Sequence, residues 1–501
     1  MYIDGSAHIG EVRVSTGIAG LDSILGGGLP KHRLYLVQGD PGVGKTTLAL
    51  QFLMAGAAAG ERVLYITLSE SRLEIEEVAD SHGWSFQNVE VCEYTPEDLL
   101  EEQRTNTVFH SSEVELCEMI KKLLTAVDRS NPSRVVFDSL SELMLLASEP
   151  LRYRREIMYL KQYFANRNCT VLLLDDLTAN GGDRQLHSLC HGVISLEDHL
   201  QDYGPARNRL RVSKLRGVNF KGGYHDYVIK TGGVEVFPRL VAADHRAEPS
   251  STQYSSGIRQ LDKLLGGGLD SGASVALIGP SGSGKSTIAT KFVHTACDTG
   301  HSTAIFMFEE SKATLYKRSS GLGMDLRPFV DNGLLKLHSI DPAEVAPTQF
   351  TQMVKAAVEI DNVSLIVVDS LNGFMHAMPG ERNLILLVHE MLSYLSQKDV
   401  TCIFIVAQQG ILATSQSPIL DISYIADTVI QFRYFEHSGN VRQAISVFKR
   451  RSGEHERSIR ELTIGGPDGI AISEPLRNFR GLLTGVPMEE TPISGAPAVL
   501  E

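Results

Sequence analysis

The chain has 501 residues, of which 43% are hydrophobic and 21% are charged, and its formal net charge is −13. This composition is typical of a globular protein rather than a disordered one, the length predicts two domains, and the acidic balance argues against a broad nucleic-acid-binding surface. The six cysteines form no C-x-x-C pair, the amino terminus has no apolar signal segment, and no apolar run is long enough for a membrane span. We therefore expect a cytoplasmic protein with reduced thiols and no membrane partner.

The sequence contains an internal duplication. "STGIAGLDSILGGGLP" matches "SSGIRQLDKLLGGGLD", "GDPGVGKTT" matches "GPSGSGKST", and "LSES" matches "FEES", each pair 240 residues apart. A repeat of this length predicts two domains of the same fold, which we place at residues 1–245 and 246–487. The boundary lies in the polar stretch "AADHRAEPSSTQ", and the tail 488–501, rich in proline and small residues, is predicted to be disordered.

Strands and helices alternate along each half. In the first half, "RLYLVQG" predicts a strand and "TTLALQFLMAGAA" a helix, followed by the strand "RVLYITL" and the helix "RLEIEEVADSHG". The helical patterns "EVELCEMIKKLLTAV" and "REIMYLKQYFANR" then precede the strands "RVVFDS" and "TVLLLDD". Short apolar strands between helices predict an α/β fold with a mostly parallel sheet covered on both faces. Apolar and polar residues alternate near the end of each half, which predicts a hairpin added to the sheet.

Both halves carry the pattern G-x-x-x-x-G-K-[ST], as "GDPGVGKT" and "GPSGSGKS". In such a P-loop, backbone N–H groups surround the phosphates, Lys45 and Lys285 reach the β/γ oxygens, and the hydroxyls of Thr46 and Ser286 can bind Mg²⁺. Asp138 and Asp369 end apolar strands and are expected to complete the two metal sites. The predicted nucleotide-binding residues are Asp40, Pro41, Gly42, Val43, Gly44, Lys45, Thr46 and Thr47, with Pro280, Ser281, Gly282, Ser283, Gly284, Lys285, Ser286 and Thr287 in the second half.

A carboxylate at the end of the neighbouring strand is well placed to activate water or a hydroxyl group. Glu70, Glu309 and Glu310 occupy such positions, although acids are also common at the start of a helix. The two halves differ here, because the second has two adjacent glutamates and the first has Ser69 before Glu70.

Two basic clusters also repeat, with Lys214 and Arg216 in "SKLRG" and Lys449 and Arg451 in "FKRRSG". Alternate residues on a strand point to the same side, so each cluster could present a lysine and an arginine together. Such cations stabilise the charge of a transferring phosphoryl group, often from a neighbouring subunit. The alternative is a sheet edge protected by charge.

Taken in order, these motifs resemble the KaiC family of two-domain RecA-type ATPases, over about positions 10–485. The resemblance depends on the doubled "GLD…LGGGL", the doubled P-loops, "FEES", both "DS" strands, "KLRG" and "DISYIADTVIQFRYFEHSGNVRQAISVFKRR". It implies tandem RecA-like P-loop NTPase domains in a double-ring homohexamer, with ATP and Mg²⁺ bound between subunits in both rings. In the family, the first ring hydrolyses ATP slowly, and the second phosphorylates its own side chains and can reverse the transfer.

The resemblance also implies residue roles in the second half. Glu309 and Glu310 match the catalytic pair of a serine/threonine autokinase, with Glu309 as the base toward the acceptor hydroxyl. The family's Ser-Thr acceptor pair matches Ser423 and Tyr424, so Ser423 is the first candidate acceptor and Tyr424 the second. In the first half, either Glu70 alone orients water, or that ring holds ATP mainly as a structural clamp.

Partners and competing functions follow from the same comparison. The family's activator KaiA binds a longer tail than "MEETPISGAPAVLE", so we do not expect KaiA regulation, while a KaiB-like partner on the first ring stays open. A signalling, timing or stress regulator is the favoured interpretation. One alternative is a nucleic-acid-associated ATPase, because "RYRR" at 152–155 could contact phosphate and stack a base. The other is a nucleotide-gated hexameric scaffold with little turnover.

Overall fold

A computed structural model describes residues 12–94, 111–147, 149–177, 184–200, 204–242, 252–376, 384–408, 424–465, 469–477, 479–481 and 488–489. Contacts within the chain define two compact units, Met1–Arg239 and Leu240–Glu501. This division falls a few residues before the predicted boundary at 245, and because residues 243–251 lie outside the described ranges, the domain limits stay a prediction. No helix within those ranges is long and apolar enough to cross a membrane.

The first unit is built around a nine-stranded sheet with the strand order β11-β10-β9-β8-β3-β7-β6-β4-β5. Its strands, with the separate pair β1 and β2, are β1 Arg13–Val14, β2 Leu29–Pro30, β3 Leu34–Gly39, β4 Val63–Thr67, β5 Glu90–Glu93, β6 Arg134–Asp138, β7 Thr170–Asp176, β8 Gly192–His199, β9 Arg207–Leu215, β10 His225–Lys230 and β11 Gly233–Phe237. Its helices are Ala19–Ile24, Lys45–Ala58, Arg72–Ser81, Ser111–Ser130, Leu140–Ala147, Pro150–Ala165 and Arg184–Leu189.

The second unit repeats this order in its own nine strands, β16-β15-β17-β18-β14-β19-β20-β21-β22. Its strands are β12 Gln253–Tyr254, β13 Leu269–Asp270, β14 Ser274–Gly279, β15 Thr303–Met307, β16 Leu335–Ser339, β17 Leu365–Asp369, β18 Thr401–Ala407, β19 Thr428–His437, β20 Asn440–Arg450, β21 Arg460–Ile464, β22 Ile470–Pro475, β23 Phe479–Arg480 and β24 Met488–Glu489. Its helices are Arg259–Leu265, Lys285–Asp298, Lys312–Ser320, Arg327–Asp331, Pro347–Glu359, Leu371–His376 and Leu384–Gln397.

Six strands of each sheet are parallel, as the alternation of short apolar strands and helices predicts. In the first unit these are β8, β3, β7, β6, β4 and β5, and apolar clusters pack on both faces of the sheet. The predicted hairpin is larger than expected, because three antiparallel strands follow β8 and β19 in their respective sheets. Each unit is therefore a RecA-like α/β sheet, with the P-loop strand near its centre.

The aspartate of "GLD" in the first half and of "QLD" in the second half has a structural role. Asp22 accepts hydrogen bonds from the Ser15 hydroxyl at 2.6 Å and from the Thr16 N–H and hydroxyl at 2.8 and 2.7 Å. Asp262 makes the same three bonds with Ser255 and Ser256 at the same distances. Each aspartate thus fixes the turn into a short helix, which explains why this part of the pattern repeats away from the nucleotide sites.

The carboxyl-terminal tail contains one short element. Met488–Glu489 pairs with Phe479–Arg480 in an antiparallel ladder, which the predicted disorder of 488–501 does not anticipate. Residues 490–501 lie outside the described ranges.

Candidate nucleotide-binding and catalytic sites

Each P-loop joins the end of a central parallel strand to the start of a helix. In an open parallel sheet, ligands bind beyond the carboxyl ends of such strands. Gly42 and Gly44 have φ of 86° and 91°, and Gly282 and Gly284 have φ of 76° and 97°. These are left-handed conformations that glycine adopts without strain, so the glycine positions of the motif are required by the backbone of the loop.

Strands on one side of each P-loop strand contact the P-loop. The Tyr227 hydroxyl donates to the Val43 carbonyl at 2.6 Å, and the Tyr434 hydroxyl donates to the Ser281 carbonyl at 3.1 Å. A Cβ atom at Gly44 would approach Ile229 Cδ1 to 2.5 Å, and one at Gly284 would approach Ile464 Cδ1 to 2.5 Å. The loops are therefore held in a conformation that can receive phosphate before any ligand arrives.

The remaining predicted P-loop positions divide by exposure. Asp40, Pro41 and Ser281 are exposed, whereas Pro280 and Ser283 are buried and joined by a hydrogen bond from the Ser283 hydroxyl to the Pro280 carbonyl at 2.8 Å. Thr47 and Thr287 lie in the first turns of the two helices, and their hydroxyls lie 3.5 Å from His82 Nε2 and 3.4 Å from Arg318 Nη1, respectively.

The two P-loop lysines have different surroundings. Lys45 Nζ donates to the carbonyls of Gly39 and Asp40 at 2.9 Å, and it lies 2.6 Å from Asp176 Oδ1. Lys285 Nζ donates to the carbonyls of Gly279 and Pro280 at 2.8 and 2.6 Å. Burial lowers the pKa of Lys285 to about 8, an effect that Asp369 and Glu309 oppose.

Both predicted magnesium sites bring a hydroxyl next to a carboxylate, which is buried in Asp138 and half-buried in Asp369. Thr46 Oγ1 lies 3.4 Å from Asp138 Oδ2, and the Ser286 hydroxyl hydrogen-bonds to Asp369. Burial raises the pKa of both aspartates, and a bound divalent cation would favour their charged forms. Hydroxyl and carboxylate oxygens are ligands that Mg²⁺ prefers, with substrate phosphates and water completing the octahedron. These residues therefore fit Mg²⁺ with a nucleotide.

Asp138 has an additional partner that the sequence analysis did not identify. The buried Tyr65 hydroxyl donates to Asp138 Oδ2 at 2.5 Å, and burial together with Asp138 raises the pKa of Tyr65. The equivalent residue in the second unit is Ile305, so Asp369 lacks this donor.

The adjacent glutamates of the second unit have separate environments. The Ser370 hydroxyl donates to Glu309 Oε1 at 2.7 Å and thereby orients the exposed Glu309 carboxylate. Glu310 forms a two-pronged ion pair with Arg318, whose Nε and Nη2 donate to its two oxygens at 3.1 and 2.8 Å. Glu310 is therefore held in an ion pair with Arg318, whereas the Glu309 carboxylate is held by a hydroxyl group and is exposed to solvent.

In the first unit, Glu70 is the counterpart of Glu310, and no arginine stands at the position equivalent to Arg318. Val78 occupies the position equivalent to Arg318, and the buried Glu70 Oε2 has no hydrogen-bond partner among the described residues. Burial, followed by Asp138, raises the pKa of Glu70. Glu70 is therefore more basic than an exposed glutamate, which suits a residue that accepts a proton from water.

The repeated basic clusters lie near the amino ends of the central parallel strands, whereas each P-loop lies at the carboxyl end of its strand. Lys214 Nζ donates to the His187 carbonyl, and Arg216 Nη2 donates to the Ser188 carbonyl at 2.7 Å. The Arg216 N–H bonds to His191, whose own N–H bonds to Leu34 at the amino end of β3. Because the P-loop follows the carboxyl end of β3, these two cations do not reach the nucleotide site of their own unit.

The second cluster has the same placement and contacts the candidate acceptor segment. Lys449 Nζ donates to the Ala426 carbonyl at 2.7 Å, and Arg451 Nη2 donates to the Tyr424 carbonyl at 2.7 Å. The nearby Asp427 accepts a bond from the Ser274 N–H, at the amino end of β14, at 3.0 Å. The Tyr424 side chain is 53% exposed. Ser423 lies outside the described residues.

The tyrosine of "RYRR", which the nucleic-acid interpretation requires for base stacking, is buried. Within "RYRR", Tyr153 is only 2% exposed and packs in the apolar core beneath the helix Pro150–Ala165. A side chain buried in this way cannot stack on a base.

The duplicated sheet and its two P-loops, each beside a hydroxyl–carboxylate pair, define a tandem RecA-like P-loop NTPase. The family model described as "ATPase: KaiC" matches residues 14–241 and again residues 254–477. The circadian clock oscillator protein KaiC of Picosynechococcus sp. is 30% identical over 494 residues, which covers 95% of this chain and 93% of that protein. KaiC 1 of Synechocystis sp. is 29% identical over 492 residues, with 95% and 92% covered. The chain therefore belongs to the KaiC family of ATPases.

Proposed function

We propose that this chain is an ATP-hydrolysing autokinase that assembles as a homohexamer, binds Mg·ATP between subunits in both units, and phosphorylates Ser423, with Tyr424 as a second acceptor. The observation that carries the proposal is that the adjacent residues Glu309 and Glu310 have different hydrogen-bond partners. One glutamate is oriented by Ser370 and the other is neutralised by Arg318, beside a P-loop with its metal-binding pair.

In the proposed transfer, Lys285 and the P-loop N–H groups bind the phosphates. Ser286 and Asp369 would hold Mg²⁺, and the ion would supply positive charge to the phosphates. The oxygen of the acceptor hydroxyl forms a bond to the γ-phosphorus, and Glu309 accepts the hydroxyl proton. The bond between the γ-phosphorus and the oxygen that bridges it to the β-phosphate breaks, and ADP leaves. The Ser370 hydroxyl keeps Glu309 in position throughout. In the first unit, Glu70 takes the corresponding proton from water.

The positions of the acceptor segment and of the basic clusters favour transfer between chains. Tyr424 lies near the amino end of β14, whereas the P-loop follows the carboxyl end of β14. Strand β14 has six residues. At about 3.3 Å per residue, the two edges are roughly 20 Å apart. Lys449 and Arg451 would therefore serve the nucleotide of a neighbouring subunit, as would Lys214 and Arg216 in the first ring.

The regulatory role and the partners are part of the same proposal. The relatives are named as circadian clock oscillator proteins, which supports a signalling or timing function for this chain. A KaiB-like protein is the partner class that we propose to test, and we do not propose KaiA.

The test is mass spectrometry of the intact protein and of its phosphopeptides after incubation with Mg·ATP. We expect phosphate on Ser423 in the wild type, and loss of that phosphate in Glu309→Gln and Ser423→Ala. Glu436→Gln makes the same chemical change at an exposed position of β19 and should leave phosphorylation unchanged. Steady ATP hydrolysis without phosphate would reject the kinase activity. Nucleotide-dependent assembly without hydrolysis or phosphate would favour the scaffold.

A further inference from the structure

Asp176 is a carboxylate of the first nucleotide site that the P-loop pattern does not include. It ends β7, and in the parallel ladder it pairs with Gly39, the residue that begins the P-loop. Its Oδ1 lies 2.6 Å from Lys45 Nζ, and the two side chains are 33% and 10% exposed. At this distance and exposure, the ion pair is only weakly screened by solvent and salt.

The same Lys45 nitrogen is the group that reaches the β/γ oxygens of a nucleotide. A phosphate oxygen at a normal hydrogen-bond distance of about 2.9 Å from this nitrogen would lie within about 6 Å of Asp176 Oδ1. Like charges at this separation repel. A triphosphate carries more charge at this position than a diphosphate, so the repulsion acts more strongly on the triphosphate.

The second unit provides an internal comparison. Ala407 pairs with Gly279 at the position equivalent to Asp176, so no carboxylate is available there. Arg318 also adds a cation that pairs with Glu310, whereas Val78 leaves Glu70 without one. Among the described residues, Asp138, Asp176 and Glu70 of the first site interact with one another beside Lys45. In the second site, Asp369, Glu309 and Glu310 lie beside both Lys285 and Arg318.

We propose that Asp176 determines nucleotide specificity in the first unit by making its P-loop favour a nucleoside diphosphate over a triphosphate, relative to the second unit. The inference rests on the proposed nucleotide sites and concerns their selectivity. Removing this charge should raise the affinity for the triphosphate over that for the diphosphate by about tenfold.

Equilibrium binding of Mg·ADP and of the non-hydrolysable Mg·AMP-PNP to the full chain tests this inference. A Lys285→Ala background restricts binding to the first site, where Asp176→Asn removes the charge with little change in shape. We expect Asp176→Asn to strengthen AMP-PNP binding about tenfold relative to ADP. The reciprocal change, Ala407→Asp in a Lys45→Ala background, should weaken AMP-PNP relative to ADP at the second site.

An unchanged ratio in a folded Asp176→Asn chain would overturn the inference and leave the nucleotide sites in place. The reciprocal variant decides the question if Asp176→Asn fails to fold. Loss of hydrolysis in Asp176→Asn with an unchanged binding ratio would make Asp176 a catalytic base instead, and it would also overturn the inference. If the Lys285→Ala chain binds neither nucleotide, the proposed first site fails along with the inference.

Discussion

Arg318→Ala removes the cation that faces Glu310 and leaves that carboxylate partly buried without a partner. The two side chains are 24% and 19% exposed, and two hydrogen bonds join them at 3.1 and 2.8 Å. Breaking a fully buried ion pair costs about 3–5 kcal/mol, whereas an exposed pair contributes about 1 kcal/mol or less. For this intermediate exposure, we expect the free energy of unfolding to fall by about 2–3 kcal/mol.

Thermal unfolding of the full chain measures this effect. For a unit of this size, 1 kcal/mol corresponds to about 2–4 °C in Tm, so Arg318→Ala should lower the affected transition by about 4–12 °C. Lys317→Ala is the matched control, because it removes an exposed cation from the same helix and should cost about 0.5 kcal/mol or less. The double variant Arg318→Ala/Glu310→Gln should recover much of the loss, since the unpaired charge is gone.

The same variant has a predicted effect on metal binding. Glu310 raises the pKa of Asp369 and Arg318 lowers it, after the larger contributions of burial and of the Ser286 hydrogen bond. Removing Arg318 should therefore raise the pKa of Asp369 further and increase the Mg²⁺ concentration that nucleotide binding requires. Equal shifts in Tm for the Arg318 and Lys317 variants, or additive effects in the double variant, would refute the reasoning.

Two further predictions concern the individual sites. Because the pKa of Lys285 is about 8, the second site should lose nucleotide affinity as pH rises above about 8, approaching tenfold per pH unit, when binding is measured in Lys45→Ala. Lys285→Arg keeps the charge and should remove this dependence; a flat profile for Lys285 itself would contradict the prediction. Tyr65→Phe removes a hydrogen bond that lowers the pKa of Asp138, so Mg²⁺-dependent nucleotide binding in Lys285→Ala should weaken; the prediction is wrong if the Mg²⁺ titration does not move.

The parts of the site that depend on local sequence could be predicted. Glycine and lysine spacing defines each P-loop, and an apolar strand that ends in aspartate places Asp138 and Asp369 at the carboxyl edge of a parallel sheet. The parallel strands and the presence of an antiparallel hairpin also follow from apolar patterns of short range, although each extension has three strands. The repeat provides each prediction twice.

The residues that could not be predicted act through register or across an element. Asp176 belongs to the site because β7 pairs with the P-loop strand so that Asp176 lies opposite Gly39. Arg318 reaches Glu310 from the following helix, eight positions along the chain. Both differ from their counterparts in the other unit, Ala407 and Val78. A position-by-position comparison of the two halves of the sequence could have identified both differences.

The position of the acceptor segment has a consequence for kinetics. Tyr424 and the P-loop of the same chain lie at opposite ends of β14, so the proposed phosphotransfer requires two chains. Its rate per chain should rise with protein concentration until assembly is complete. A chain whose P-loop is disabled by Lys285→Ala would still receive phosphate when mixed with a Ser423→Ala/Tyr424→Phe chain, which lacks both proposed acceptors. Two variants that are inactive alone would then restore the reaction together.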